Sequence, residues 1–301
     1  MMKQTLKIFL MGILVQLSYT GLTAQSIADS TLQKIGGERA FYETLGKIYP
    51  AEHSVTVTEA TIAGVKSYWF NEGLTGQKHI IIYLHGGVYA LGSINSYRAM
   101  ISHLSKSINL PIVYIEYSRA PENPYPAATN ESLKVYRELR NKYPGYKISV
   151  IGDSAGGGLA IQLVYNSIES KLPAPNALAL ISPWVDLKTQ NNSYITRQSV
   201  DPILSKKMLH DHALLYNPTH NKAADPSELK FRTFPPVLLL VGTDEVLNDD
   251  SKNFYNYIKP VQKQARLKEF PGQKHVWLVS DINSKASVEA MDDIKGFITS
   301  K

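Results

Sequence analysis

The stretch ISVIGDSAGGGLA at positions 148–160 decides the predicted fold. It reads as a short β-branched strand, then Gly-x-Ser-x-Gly, then a helix over about 157–170. A serine on such a sharp strand-to-helix turn has its hydroxyl exposed at the end of the sheet. Gly152 and Gly156 supply the missing side chains that so tight a turn requires. The helix directs its positive N-terminal end to the place where a negative oxygen would form. Ser154 is therefore the candidate nucleophile.

A phosphate-binding loop is the alternative interpretation, since glycines between a strand and a helix also serve nucleotides. The chain contains neither Gly-x-Gly-x-x-Gly nor Gly-x-x-x-x-Gly-Lys-Ser/Thr. The next strand-like run, 177–181, ends in Ser182-Pro183, with no acid at its tip to bind a ribose. The pattern favours the nucleophile.

Strand-like and helical runs alternate along the chain, which predicts an α/β fold with one mostly parallel sheet and right-handed crossovers. The central strands are continuous apolar runs, as in parallel strands that are covered on both faces. The first two runs alternate more visibly, which is compatible with an antiparallel edge. The predicted strands are 55–63, 65–70, 80–84, 112–117, 148–151, 177–181, 237–241 and 266–270, and the predicted helices are 97–107, 127–142, 157–170, 250–259 and 287–299.

Two segments depart from this rhythm, and we interpret them together as a cap over the sheet. Residues 26–50 read as a helix and a turn before the first strand. Residues 187–234 separate two core strands by far more than a crossover requires, and they contain a helical patch at 205–216. Long insertions between core elements are usually lids or binding loops.

The first 24 residues follow the pattern of a secretory signal peptide. Lys3 and Lys7 precede an apolar run at 8–17, and small residues lead to a predicted cleavage site after Ala24. The apolar run is too short to span a bilayer comfortably, although an uncleaved anchor is the alternative. We expect a mature chain of residues 25–301 that is secreted or periplasmic and has no membrane contact.

The composition excludes several classes of protein. The chain has 44% hydrophobic and 19% charged residues, which is ordinary for a globular protein. It has no cysteine, so disulfides and a cysteine nucleophile are excluded. Removal of residues 1–24 takes away two lysines and no acid, which lowers the net charge from +6 to +4. So mild an excess, with no basic stripe, does not indicate nucleic-acid binding.

A serine hydroxyl needs a base and an orienting acid. His275 follows the strand 266–270 on a loop, and Asp244 lies just after the strand 237–241, so both are expected at carboxyl ends of strands, where ligands gather in open α/β sheets. The chain order Ser154, Asp244, His275 is that of the α/β-hydrolase triad. The neighbouring acids Glu245, Asp249 and Asp250 are rivals to Asp244.

The chemistry also needs backbone N–H groups directed at a developing oxyanion. His85-Gly86-Gly87-Val88 follows the strand 80–84, where glycines allow a close approach to substrate. Ala155, directly after the nucleophile, would add one more N–H. Gly86, Gly87 and Ala155 are the predicted oxyanion hole.

These residues lie in blocks that resemble the bacterial hormone-sensitive-lipase-like family of α/β-hydrolase esterases. The matching blocks, in family order, are HGGVYALGS (85–93), YSRAPENPYPAATNE (117–131), GDSAGGGLA (152–160), SPWVDL (182–187), PPVLLLVGTDEVLNDD (235–250) and FPGQKHVW (270–277). The resemblance implies the same nucleophile, acid, base and oxyanion region. One departure is Val88, where the family usually has a third glycine. Its stiff branched side chain leads to the hypothesis that it narrows the acyl pocket and favours short acyl chains.

The sequence thus predicts a serine carboxylesterase that acts on small-molecule, short-chain acyl esters through an acyl-enzyme, with no cofactor and no metal. A deacetylase of acetylated sugars or xylan is one alternative, and acetate release from acetylated xylan would distinguish it. A non-catalytic ligand receptor on the same fold is another. Receptors that resemble this family typically lack the base, so His275 argues against that interpretation. The natural ester and the oligomeric state are left open.

Overall fold

The computed structural model describes residues 29–301, so the predicted signal peptide lies outside the described residues. The described residues fall into two units, 29–41 and Tyr42–Lys301. In the first unit every described residue is helical. The second unit contains the entire sheet and all the predicted site residues. Within the described residues, no helix has the length and apolar character needed to cross a membrane.

One eight-stranded sheet organises the second unit, in the order β1-β2-β4-β3-β5-β6-β7-β8. The first two strands form an antiparallel edge, and β3 to β8 pair in parallel. All eight predicted strands are therefore confirmed. Their bounds are β1 Val57–Ile62, β2 Val65–Phe70, β3 His79–Leu84, β4 Ile112–Ile115, β5 Lys147–Asp153, β6 Leu178–Ile181, β7 Val237–Gly242 and β8 Arg266–Phe270.

Helices cover both faces of this sheet, and the five predicted core helices are confirmed within a few residues. The first helix covers the described residues 29–43 and is followed by a 3₁₀ turn at Thr44–Lys47. With that first helix counted as α1, the others are α2 Ile94–Ile108, α3 Ala127–Lys142, α4 Ala155–Glu169, α5 Ser193–Thr196, α6 Lys206–Tyr216, α7 Asn248–Ile258, α8 Trp277–Ser280 and α9 Lys285–Thr299; short 3₁₀ helices occur at Glu72–Gln77, Lys222–Ala224 and Pro226–Glu228.

The sheet has an apolar core on each face because its central strands are buried on both sides. Every residue of β3 and of β7 is buried. Within β3, Ile80 and Ile82 belong to one core cluster, whereas Ile81 and Tyr83 belong to the other. This is the alternation expected of a strand whose successive side chains point to opposite faces. A rigid, doubly covered sheet thus holds the loops at its carboxyl edge.

The insertion between β6 and β7 carries α5, α6 and two short 3₁₀ turns. It contacts the sheet-covering helices through Tyr216 at the end of α6, whose hydroxyl donates to the side-chain oxygen of Gln162 (3.0 Å). The Tyr216 ring stacks on Tyr89 with a centroid distance of 3.7 Å. A cap made jointly of segments 26–50 and 187–234 stays a prediction.

Candidate active site

Ser154 lies on the sharp turn between β5 and α4, as the sequence predicts. Its backbone has φ 51° and ψ −122°, a strained conformation for a residue with a side chain. Its amide donates to the Ile181 carbonyl (2.9 Å), which continues the sheet hydrogen bonding into the turn. A Cβ on Gly156 would lie 2.0 Å from the Leu84 carbonyl oxygen, so this position admits only glycine. The close packing of glycine backbone therefore holds the serine in its strained conformation.

His275 reaches this serine from the loop after β8. Its Nε2 lies 2.9 Å from Ser154 Oγ, and both residues are buried, with the serine 3% and the histidine 7% exposed. The loop passes directly over the end of β7, where a Cβ on Gly242 would lie 2.2 Å from the Gln273 carbonyl oxygen. Two side chains that are far apart in the chain thus meet within hydrogen-bonding distance, which is the geometry of a nucleophile and its base.

The carboxylate behind His275 belongs to Glu245, not to Asp244. Glu245 Oε2 accepts from His275 Nδ1 at 2.7 Å, and the glutamate is fully buried. Its other oxygen accepts from the Gly242 amide (2.7 Å) and from the Ser182 hydroxyl (2.8 Å). The sequence predicts Asp244 as the acid, with Glu245 only as a rival, and the structure corrects this prediction.

Asp244 faces outward instead. Its carboxylate pairs with Lys274 at 3.0 Å, and its side chain is 30% exposed. The hydrogen bond from Lys274 lowers the pKa of Asp244. Adjacent residues in a turn direct their side chains differently, and the positions of the two acids after β7 do not distinguish them. Lys274, next to the base in the chain, is the one hint that Asp244 has another partner.

The charges around His275 favour its protonated form. Burial by itself lowers the pKa of the imidazole, but the hydrogen bond and the charge of Glu245, with the charges of Asp201 and Asp153, raise it above its ordinary value. The ring can therefore accept a proton from Ser154 and be stabilised as an imidazolium by the carboxylate behind it.

The loop after β3 lies against the nucleophile. A Cβ on Gly86 would lie 2.9 Å from Ser154 Cβ, so glycine allows this contact. The Gly86 amide, however, donates to Asp153 Oδ1 (3.0 Å) and contacts the Tyr97 hydroxyl (3.1 Å). The structure therefore corrects the placement of Gly86 in the oxyanion hole. Its N–H is already bonded, and its part is to allow the close approach.

Within the described residues, the amides of Gly87, Val88 and Ala155 have no hydrogen-bond acceptor. Gly87 and Val88 both have positive φ, 102° and 49°. Val88 is a β-branched residue in the left-handed region, which is a genuine outlier, and it is buried. These amides are available to bind a negatively charged oxygen next to Ser154.

Asp153, which is not among the residues predicted from the sequence, fixes the loop that carries these amides. It is buried and accepts hydrogen bonds from the hydroxyls of Tyr83 and Tyr97 (both 2.8 Å), in addition to the Gly86 amide. Burial raises the pKa of Asp153 to about 6, although these hydrogen bonds act to lower it. Its position next to Ser154 in the Gly-x-Ser-x-Gly motif was the sequence signal that could have identified Asp153 as part of the site.

His85 also has a structural place in this loop. Its ring stacks on Tyr117 with a centroid distance of 4.1 Å, and its Nδ1–H donates to the Gly86 carbonyl (2.7 Å). Burial lowers its pKa to about 3, so the ring is neutral. Among the described residues, no cluster of three or more histidines, aspartates and glutamates is arranged to hold a metal ion.

Comparison with known proteins agrees with this fold. The α/β-hydrolase-fold family matches residues 81–279, which is more than half of the chain, so the chain belongs to this family. An acetyl-hydrolase of Streptomyces hygroscopicus is 34% identical over 202 residues, covering 65% of this chain and 67% of that protein. An esterase of Acinetobacter venetianus is 29% identical over 269 residues, covering 87% and 88% of the two chains.

Solved structures place the chain more narrowly. It is similar to an esterase from the bacterial hormone-sensitive lipase family, with a TM-score of 0.84, 28% identity, and coverage of 88% of this chain and 91% of that one. An esterase/lipase from an uncultured bacterium gives a TM-score of 0.82 and 30% identity, with coverage of 88% and 90%. The resemblance inferred from the sequence motifs is thereby confirmed.

Proposed function

We propose that the protein is a serine carboxylesterase in which Ser154, His275 and Glu245 form the catalytic triad. The observation that carries this proposal is the buried chain of two hydrogen bonds from Glu245 through His275 to Ser154. The described fold, the family and the similar esterases support it.

In the proposed mechanism, Ser154 Oγ attacks the ester carbonyl carbon while His275 Nε2 accepts the hydroxyl proton. Glu245 holds the ring in the required tautomer and stabilises the imidazolium. The amides of Gly87, Val88 and Ala155 bind the oxyanion of the tetrahedral intermediate. The bond from carbon to the alkoxy oxygen then breaks, and the imidazolium gives its proton to the leaving alcohol.

The second half of the reaction repeats this chemistry with water. His275 takes a proton from a water molecule that attacks the acyl carbon, and the carbon–Oγ bond breaks as the proton returns to Ser154. The products are a carboxylic acid and free enzyme. Each proton moves within this chain of groups, so this mechanism uses only the side chains and amides described above.

We further propose that the acyl group is short. Val88 and Tyr89 follow the glycines directly, both are buried, and Tyr89 stacks on Tyr216 of the insertion. The Trp184 ring packs against Tyr89 with a centroid distance of 5.6 Å. The loop beside Ser154 therefore carries a branched side chain and a bulky ring, and two further rings pack against it. The relative named acetyl-hydrolase supports the same substrate class.

The test is hydrolysis of p-nitrophenyl esters from acetate to octanoate by the chain from residue 25 onward. We expect the highest kcat/KM with acetate or butyrate and no turnover by Ser154→Ala. A fluorophosphonate probe should label Ser154 in the wild type. Absence of labelling would contradict the proposal and favour a ligand receptor. Faster acetate release from acetylated xylan than from p-nitrophenyl acetate would instead identify a polysaccharide deacetylase.

Export by an N-terminal signal peptide is a separate proposal, which is supported by the pattern of residues 1–24. We expect the full chain, expressed in a bacterium, to be found outside the cytoplasm with Gln25 as its first residue. Deletion of residues 2–24 should keep the activity in the cytoplasm. An unprocessed full-length product in the membrane fraction would indicate the anchor instead.

A further inference from the structure

The turn that carries Glu245 is held by the insertion between β6 and β7. The Val246 amide, which belongs to the peptide bond that follows Glu245, donates to Asp201 Oδ2 at 2.9 Å. The carbonyl of the same Val246 accepts from the Ser193 hydroxyl at 2.6 Å. Val246 is fully buried. Two side chains of the insertion thus bind both backbone polar groups of the residue next to the acid.

Asp201 is itself fixed in place. It is 7% exposed, and its Oδ1 accepts from the amides of Ile203 (2.9 Å) and Leu204 (3.0 Å). The carboxylate therefore bridges two segments, with one oxygen on the insertion and the other on the turn after β7. Charge-assisted hydrogen bonds from buried amides to a carboxylate are among the stronger ones in proteins.

Glu245 needs such support because its side chain has more rotatable bonds than the aspartate next to it in the chain. Its carboxylate is held by Gly242 and Ser182 at the ends of β7 and β6, but these bonds align it only if its backbone is also fixed. Misplacement of a catalytic group by about 1 Å can lower a rate by about a hundredfold. The Asp201 bond to the Val246 amide supplies the missing restraint.

The negative charges of three carboxylates, each on a different element, raise the pKa of His275. They are Glu245 on the turn after β7, Asp153 at the end of β5 and Asp201 on the insertion. The cations of this region, Lys274 and Arg197, act on Asp244 farther out. Removal of one of the three carboxylate charges would therefore act directly on the imidazole.

We propose that Asp201 is a positioning residue for ester hydrolysis, which holds the turn after β7 so that Glu245 stays aligned behind His275. The inference rests on the proposed function. It assigns the long insertion a part in building the catalytic acid, in addition to any part in covering the substrate.

A double-mutant cycle tests this proposal, with Asp201→Asn, Glu245→Gln and the combined variant compared by kcat and KM on p-nitrophenyl acetate from pH 5 to 9. An asparagine cannot accept from all three amides, because one of its two ends is a donor. We expect Asp201→Asn to lower kcat by about ten- to a hundredfold with little change in KM. The acid limb of kcat/KM should move to lower pH. In the Glu245→Gln background, Asp201→Asn should change kcat by less than about threefold.

Asp225→Asn is the matched control, since Asp225 is a buried aspartate of the same insertion whose carboxylate accepts from Ser227. We expect it to affect the melting temperature but neither kcat nor the acid limb. Ser193→Ala, which removes the hydroxyl that donates to the Val246 carbonyl and accepts from the Asp249 amide, serves if Asp201→Asn does not fold. Ser193→Ala should likewise lower kcat in the wild-type background but not in the Glu245→Gln background.

Equal fold-losses from Asp201→Asn with and without Glu245 would overturn the inference, as would an unmoved acid limb. If Ser193→Ala is used instead, an equal fold-loss of kcat in the wild-type and Glu245→Gln backgrounds would also overturn the inference. If the wild type shows no turnover that depends on Ser154, the proposed function itself fails, and that result is distinct from either outcome of the cycle.

Discussion

Replacement of Glu245 by glutamine is the sharpest test of the site. The amide oxygen is expected at the Oε1 position, because both the Gly242 amide and the Ser182 hydroxyl donate there. The amide nitrogen then takes the Oε2 position, which is 2.7 Å from His275 Nδ1. Two donors cannot share this contact, so the ring must carry its proton on Nε2. That proton points at Ser154 Oγ, and the base can no longer accept one.

The size of the effect follows from the tautomer and from the lost charge. Comparable changes in serine hydrolases lower kcat by roughly 10³–10⁴, which corresponds to about 4–5.5 kcal/mol of transition-state stabilisation. Asp244→Asn is the matched control on the neighbouring residue. Its side chain is 30% exposed and is paired with Lys274, so we expect kcat/KM within about twofold of wild type.

The assay is p-nitrophenyl acetate hydrolysis by both variants across pH 5–9, with melting temperatures as a check on folding. The charge and hydrogen bond of Glu245 raise the pKa of His275 against the effect of burial. Because deprotonated His275 is the active form, removal of that charge should move the acid limb of any residual kcat/KM to lower pH. A hundredfold loss in Asp244→Asn, with Glu245→Gln nearly active, would refute the assignment.

Four other predictions concern the oxyanion loop and two glycines. Asp153→Asn should lower kcat about tenfold. Burial raises the pKa of Asp153 to about 6, so wild-type stability should fall relative to this variant as pH rises from about 4 to about 6, measured by melting temperature. Val88→Gly should raise the ratio of octanoate to acetate turnover, since it removes a buried branched side chain, and an unchanged ratio would contradict the acyl-pocket hypothesis. Gly156→Ala should give insoluble protein, because its Cβ would lie 2.0 Å from the Leu84 carbonyl oxygen. Gly296→Ala in α9, with nothing within 4 Å of its Cβ, should be stabilised by roughly 0.5–1 kcal/mol in chemical denaturation.

The fold was predictable because its signals are local. The apolar runs that form β3 and β7 are buried on both faces of the sheet. Continuous apolar runs of this length are typical of the central strands of a parallel sheet. The positions of Ser154 and His275 were predictable for a related reason. Each lies shortly after the end of a recognisable strand, and the carboxyl ends of parallel strands lie at one edge of the sheet.

The identity of the acid and the direction of each amide were decided by tertiary structure alone. Asp244 and Glu245 are adjacent, and only the rotation of the turn after β7 directs one to Lys274 and the other to His275. The Gly86 amide does not belong to the oxyanion hole for a similar reason. Its N–H donates to Asp153, which lies at the end of a neighbouring strand. A chain pattern specifies which residues follow a strand, but the direction of a side chain or an N–H depends on backbone angles and on partners far away in sequence.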